Sequence, residues 1–375
     1  MAGIYVHIPF CKKACYYCDF HFSTNMRYVD AMIQAIAMEL KMQKDYLAGE
    51  QVQTIYFGGG TPSLLNKAQI NLLLSEIYQH YNVCDSPEIT IETNPDDLTY
   101  DKLALVKAIG FNRLSIGVQS FDDSQLSFMN RAHTASEALE SIRLAKSVGL
   151  DDITIDLIYG IPNTNLESWR DNLAQAIELK IPHISAYCLT IEPGTVFGHR
   201  YRKNKLLPLD EDLIVSQFEL LVKMLSENGY VHYEISNFCL PGRYSQHNSN
   251  YWKLQKYLGV GPSAHSFNLD SRQASISNNH SYIATIRKGK VPSQIEKLTD
   301  KDKANEYLLT GLRTHWGCNL HFLKREFQID LQATHAATID KYTGEGLIEQ
   351  KNGVISLTTR GKILADSIIQ DFFIS

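Results

Sequence analysis

The chain has 375 residues, 44% of them apolar and 21% charged, and a formal net charge of −5. These values describe an ordinary soluble globular protein with room for a large core and more than one domain. No global basic field invites nucleic acid, no apolar run reaches bilayer length, and no signal-peptide pattern opens the chain, so a cytoplasmic, reducing setting is expected.

From residue 3 to about 190, strand and helix patterns alternate. Ile4–Ile8 reads as a short apolar strand, and Tyr28–Leu47 carries helical periodicity up to Gly49. Val52–Phe57 is a second strand ending in Gly58-Gly59-Gly60-Thr61-Pro62-Ser63, and Ala68–Tyr81 is helical. Glu88–Glu92 is the third strand, and Thr99–Ile109 a helix closed by Gly110. Arg113–Val118, Asp152–Ile158 and His183–Leu189 complete six strands, separated by helices over Ala135–Val148 and Leu166–Leu179. Six βα units in succession predict an α/β fold with a parallel sheet and helices outside it. The unusual residues fall just after the strands, which favours a barrel-like closure with its site at the C-terminal face. A doubly wound open sheet would place them on one edge and stays as the alternative.

Beyond Thr195 the alternation stops. A basic stretch, His199–Lys205, leads through Leu207-Pro208 to a helix over Glu211–Asn228. Residues 230–270 have a loop-like composition of Tyr, Asn, Gly and Ser, yet carry Trp252 and two histidines. From about Asp300, helices lead to an Asn352-Gly353 hairpin signal and a last helix near Arg360–Asp371. That order is winged-helix-like, but residues 296–375 hold 11 acidic and 10 basic side chains. The segment therefore lacks the electrostatic footprint of a DNA reader and is expected to pack or dock. The expected division is 1–195, 196–295 and 296–375.

Cys11, Cys15 and Cys18 follow the first strand with the spacing Cys-x3-Cys-x2-Cys. So tight a cluster in a reducing compartment points to a metal or redox site rather than a disulfide framework. Structural zinc takes four ligands, usually as two pairs, and no second pair follows. Three unrelated core thiols in one loop would be unusual, while Cys84, Cys188, Cys239 and Cys318 are scattered and read as small buried hydrophobes. An iron–sulfur cluster with one iron left open fits best, since such clusters normally take four thiolates. The glycine run can expose backbone N–H groups or let a ligand approach closely; alone it is only a tight turn. Glu92, Gln119, Arg131 and Asp156 are polar residues at strand ends, each singly best read as a cap or a surface group. Together they could supply acceptors for hydroxyls and a guanidinium for a carboxylate.

With Tyr17 just before the third cysteine, the cysteine spacing resembles the signature of the radical S-adenosylmethionine (SAM) superfamily. The resemblance implies a partial parallel (β/α)6 barrel and a [4Fe-4S] cluster whose open iron is chelated by SAM. The motifs Tyr5-Val-His-Ile-Pro-Phe-Cys11, Phe57-Gly-Gly-Gly-Thr-Pro-Ser63, Ile116-Gly-Val-Gln-Ser-Phe121 and Asp156-Leu-Ile-Tyr-Gly-Ile-Pro162 resemble the oxygen-independent coproporphyrinogen III oxidase family. Carried over by position, the SAM contacts would be Tyr5, Tyr17, Gly59, Gly60, Thr61, Glu92, Gln119, Arg131 and Asp156. Gly259–Ser266 resembles another loop of that family and is given no role. Two features depart from the oxidases: Phe20 stands where they have a fourth cysteine, and only ten residues precede Cys11. Both features, with His247-Asn-Ser-Asn-Tyr-Trp252, resemble the HemW subgroup of haem chaperones. The resemblance implies haem as cargo with His247 as an iron ligand, and apo-haemoprotein clients such as membrane respiratory enzymes. It also implies a homodimer and peripheral membrane contact, with no nucleic-acid partner. Without the family, a hydrogen-bonded loop histidine with core aromatics beside it is the plainer reading of His247. The alternatives are decarboxylation of coproporphyrinogen III to protoporphyrinogen IX through a SAM-derived radical, and a zinc-stabilised barrel without enzymatic activity.

Overall fold

The computed structural model describes residues 1–207 and 210–374; Pro208, expected to precede the Glu211 helix as a breaker, lies outside the described residues. The first half is built as expected: β1 (Ala2–Ile8), α1 (Val29–Met42), β2 (Val52–Gly59), α2 (Lys67–His80), β3 (Val83–Thr93) and α3 (Tyr100–Ile109). It continues with β4 (Arg113–Gln119), α4 (Asp123–Phe128), α5 (Ala135–Ser147), β5 (Ile153–Tyr159), α6 (Leu166–Glu178) and β6 (His183–Cys188). α1 stops at Met42 rather than Leu47, and the short α4 has no counterpart in the sequence reading. The starts are set by side chains that satisfy orphan N–H groups: Asn66, Thr134 and Asn165 each form a reciprocal capping box with the third helical residue. Gly110 ends α3 in the left-handed region, with φ 113°.

Strand order in the sheet follows the chain from β1 to β6, every neighbouring pair parallel. A doubly wound sheet reverses direction at a switch point, and none is present here. One-way right-handed crossovers put the helices on one face and leave the other concave. β1 and β6 do not pair with each other, so the barrel is partial, as the resemblance implied.

The next segment is α7 (Val196–Arg202), α8 (Glu211–Glu227), β7 (Val231–His232), β8 (Asn237–Cys239), α9 (Gln246–Trp252), β9 (Lys256–Val260) and β10 (His265–Phe267). It continues with β11 (Ser271–Ser275), α10 (Asn279–Arg287) and β12 (Ser293–Lys297). The loop-like reading of 230–270 was therefore wrong. Its strands are short and polar, yet β8 pairs with β6 at one edge and β9 lies parallel to β1 at the other, giving a twelve-stranded sheet.

The C-terminal part has its own core around Leu308, Leu323, Ile355 and Phe372. It comprises α11 (Asp300–Leu312), β13 (Cys318–Asn319), α12 (Leu320–Phe327), α13 (Leu331–Thr334), α14 (Ala336–Gly344), β14 (Ile348–Lys351), β15 (Val354–Leu357), α15 (Thr359–Ile363) and α16 (Ala365–Asp371). Asn352 and Gly353 have φ of 51° and 75°, the pair of left-handed residues that a two-residue hairpin needs. The expected last helix is two, parted at Leu364. A bridge between Thr314 and Glu234 ties this part to the barrel.

Candidate functional site in the barrel lumen

Inward and outward side chains alternate along the core strands with period two. Outward-facing Ile89, Ile91, Leu114, Ile116, Ile153 and Ile155 are buried under the helices. The inward set is polar: Thr90 and Glu92, Arg113, Ser115 and Gln119, Thr154 and Asp156, His183 and Ser185 all line one cavity. Parallel barrels usually fill their interior with branched apolar residues. A polar interior does not pack shut, and a cavity of about 800 Å³ remains, within the range of small-molecule and cofactor sites.

The cysteine loop caps the C-terminal ends of the strands. A bridge between Phe10 and Ser23 pinches its neck, with Cys11 N–H donating to Ser23 O at 3.1 Å. Its far side rests on the residues after α4: Tyr16 N–H donates to Met129 O at 3.1 Å, and Asn130 Nδ2 to Ala14 O at 2.7 Å. α7 completes the support through Phe197 N–H to Tyr16 O at 3.0 Å. All three cysteines are free thiols and all three line the cavity. Burial pushes the thiols of Cys11 and Cys18 up to about 11, so metal binding there must displace protons.

Arg131 is a cation beside the cysteine loop. Its Nη2 donates to Asn94 Oδ1 at 2.6 Å and to Gly117 O at 2.7 Å, and its Nη1 lies 3.3 Å from Cys15 Sγ and 3.4 Å from the Tyr17 hydroxyl. Its Nε is buried with no protein partner, an orphan donor inside a cavity that an anionic group would satisfy. Facing it are two carboxylates. Burial raises Glu92, which accepts from Tyr56 OH at 2.8 Å and Gly59 N–H at 2.9 Å. Burial, then the nearby Glu92, raises Asp156 to about 7. Gln119 has φ 66° beside a register shift in β4, a strained conformation for a non-glycine residue, and its side chain lines the cavity. Tyr5 points its hydroxyl at His7 Nδ1, 3.1 Å away.

The glycine run corrects one expectation. The N–H groups of Gly59, Gly60 and Thr61 are taken by Glu92, Ile8 O and Phe10 O at 2.9, 2.8 and 2.7 Å. They are not exposed to a ligand. Gly60 is dictated by close approach, since a Cβ there would sit 2.5 Å from Phe10 O.

Three thiols around one opening, a buried guanidinium with an orphan nitrogen, and two carboxylates fit a [4Fe-4S] cluster with SAM. Cys11, Cys15 and Cys18 would hold the cluster, which supplies a one-electron centre when bound. Arg131 would take the carboxylate of the methionine part, and Glu92 and Asp156 the hydroxyls. Burial keeps bulk water from competing for these groups.

His247, the haem ligand that the resemblance implied, lines the same cavity. It is 2% exposed, its Nδ1 is 2.8 Å from Thr54 Oγ1 and its Nε2 is 2.9 Å from the Tyr251 hydroxyl. Its ring stacks on Tyr56 at 5.0 Å, and burial lowers its pKa to about 3. Both nitrogens are hydrogen-bonded in this structure, one of them accepting from a hydroxyl. Glu88 accepts the N–H groups of Gln246 and His247, at 3.0 and 2.8 Å, fixing α9 as the floor of the lumen. The sequence reading missed Tyr56, Thr90, Arg113, Thr154, His183 and Ser185; the signal was the polar residue at every second position of β3 to β6.

A profile of the radical SAM superfamily matches residues 5–176, and one of the HemN C-terminal domain matches 298–364. A curated heme chaperone HemW from Lactococcus lactis is 32% identical over 99% of this chain and 97% of its own length. The protein of that name from Bacillus subtilis is 30% identical over 99% of both, and that from Escherichia coli 40% identical over 70% and 69%. In fold, coproporphyrinogen III oxidase (HemN) from Escherichia coli superposes with a TM-score of 0.86, at 24% identity over 99% of this chain and 90% of that one. The chain belongs to the HemW family of radical SAM proteins.

Proposed function

We propose that the chain is a haem chaperone. It binds haem as cargo and carries a [4Fe-4S] cluster on Cys11, Cys15 and Cys18. SAM is bound by Tyr5, Tyr17, Gly59, Gly60, Thr61, Glu92, Gln119, Arg131 and Asp156. Its clients are apo-haemoproteins, membrane respiratory enzymes foremost, which it serves from the cytoplasm as a homodimer with peripheral membrane contact. The observation that carries this reading is the end-to-end match, at 30–32% identity, to relatives named heme chaperones. Phe20, 73% exposed at the mouth of the cavity, adds support, because an oxidase of this family has cysteine there. His247, on α9 at the floor of the lumen, is the iron ligand of this reading.

The second reading is the oxidase, favoured by the fold likeness to HemN. Anaerobic reconstitution with iron and sulfide separates the two. The chaperone reading expects haem binding and transfer to an apo-haemoprotein, with no conversion of coproporphyrinogen III when SAM and a reductant are added. Conversion would overturn it. A colourless product without sulfide would favour the zinc-stabilised barrel.

A further inference from the structure

The limb of the cysteine loop between Cys11 and Cys15 has no backbone support of its own. Among the described residues, no backbone–backbone hydrogen bond involves Lys12, Lys13 or Ala14. Side chains hold the limb instead. Asn130 Nδ2 donates to the Ala14 carbonyl, and Lys13 Nζ donates to Arg131 O at 3.1 Å. The Lys12 ammonium reaches elsewhere, to the turn Pro95–Asp97 that follows β3. There it pairs with Asp96 Oδ2 at 3.0 Å and with the Asp97 carboxylate. The Asp97 side chain is 4% exposed and also accepts from Ser63 Oγ at 2.9 Å, just beyond the glycine run. Lys102 is close enough to feel the Asp97 charge but spends its ammonium on Leu65 O at 2.6 Å. Asn94, immediately before the same turn, accepts from Arg131 and donates to Thr61 Oγ1 at 3.0 Å.

We propose that Lys12 is a positioning residue for the cluster. Its ion pairs with Asp96 and Asp97 hold the Cys11–Cys15 limb in place before any metal arrives, and in register with Arg131 through Asn94. This rests on the cluster assignment of the proposed function. An ion pair between two exposed side chains contributes little, because water screens it and both chains must be ordered. Here only the lysine is exposed. Asp97 keeps its charge inside the protein, and a buried carboxylate parted from its cation is strongly disfavoured. Iron leaves the loop only when the limb opens, and opening separates Lys12 from Asp97. The pair therefore opposes local opening of a segment that has no ladder or helix to restrain it.

The test uses the full-length protein, reconstituted anaerobically with iron and sulfide and then mixed with a strong iron chelator. Loss of the cluster's visible absorption gives the release rate. Lys12→Met is expected to release iron about tenfold faster than the parent, and Lys12→Arg, which keeps the cation, to stay near the parent. Asp97→Asn is expected to act as Lys12→Met does, and the double variant to be no faster than either single one. Without metal, Lys12→Met should melt with the parent, while its amide exchange at residues 12–14 is faster. An unchanged release rate in Lys12→Met overturns the proposal, as do multiplied effects in the double variant, a fast rate in Lys12→Arg, or unchanged amide exchange. Should Asp97→Asn fail to fold, the two Lys12 variants decide alone. In all these cases the parent still holds its cluster, and the cluster assignment stands. A parent that takes up no iron and sulfide overturns both.

Discussion

Glu39, on α1, is fully buried, and no cation pairs with it among the described residues. It accepts from Gly261 N–H at 2.7 Å, from Gln43 Nε2 at 2.9 Å and from the Tyr282 hydroxyl. These donors tie α1 to α10 and to the Gly259–Ser266 loop, but they do not offset burial, which raises the carboxyl from 4.5 to about 7. At about 1.4 kcal/mol per pKa unit, the shift is worth about 3 kcal/mol. The native state binds this proton more tightly than the unfolded chain. Its contribution is therefore complete below about pH 4.5 and is lost as pH rises to about 7. Glu39→Gln removes the titration and turns an amide N–H2 toward a donor, which costs about 1–2 kcal/mol. The variant should be less stable than the parent at pH 5 and equal to it or more stable at pH 8. Urea unfolding of both proteins from pH 5 to 8 isolates this group in the difference between the two curves. Parallel curves would refute the assignment.

Cys15→Ser should lose the reconstituted iron and sulfide yet unfold at nearly the parent temperature, because the thiol is only half-buried; metal analysis and melting check the two halves. Arg131→Lys keeps the charge but cannot span Asn94, Gly117 and Cys15 together. Its SAM affinity, by equilibrium dialysis of cluster-loaded protein, should fall about ten- to a hundredfold. Thr54→Val leaves His247 Nδ1 buried without a partner and should cost about 1–3 kcal/mol in denaturant unfolding. Gly60→Ala drives a methyl group against the Phe10 and Ile8 carbonyls, and should disorder the cysteine loop so that reconstitution fails while the helical circular dichroism remains.

The cysteine loop was legible because its three ligands are neighbours in the chain and need no folding to be seen together. The βα alternation was legible for the same reason, each unit being a local pattern with its own cap, as at Thr99 and Gly110. The lumen was not. Arg113, Thr154 and His183 contribute one polar residue per strand from separate parts of the sequence, and only the curvature of the sheet turns them toward each other. β9 escaped notice because Lys256–Val260 is five residues long inside a polar stretch, and its pairing partner lies some 250 residues earlier, at β1. The partners of His247 were not legible either, because a motif names residue types and says nothing of what a ring nitrogen is bonded to.

In the proposed SAM site, the internally bonded glycine turn would bear on which adenosine compounds can enter. In glycine content Gly58-Gly59-Gly60-Thr61 imitates a phosphate loop, but a phosphate loop works by offering N–H groups. Those of Gly59, Gly60 and Thr61 are already spent on Glu92, Ile8 O and Phe10 O. A nucleotide triphosphate would find no free N–H group on Gly59, Gly60 or Thr61 and would meet the Glu92 carboxylate beside them. A sulfonium compound with an ammonium group meets complementary charge in the same place. Discrimination between two ligands that share an adenosine would then rest on spent backbone N–H groups and the Glu92 carboxylate rather than on a side chain that recognises the base.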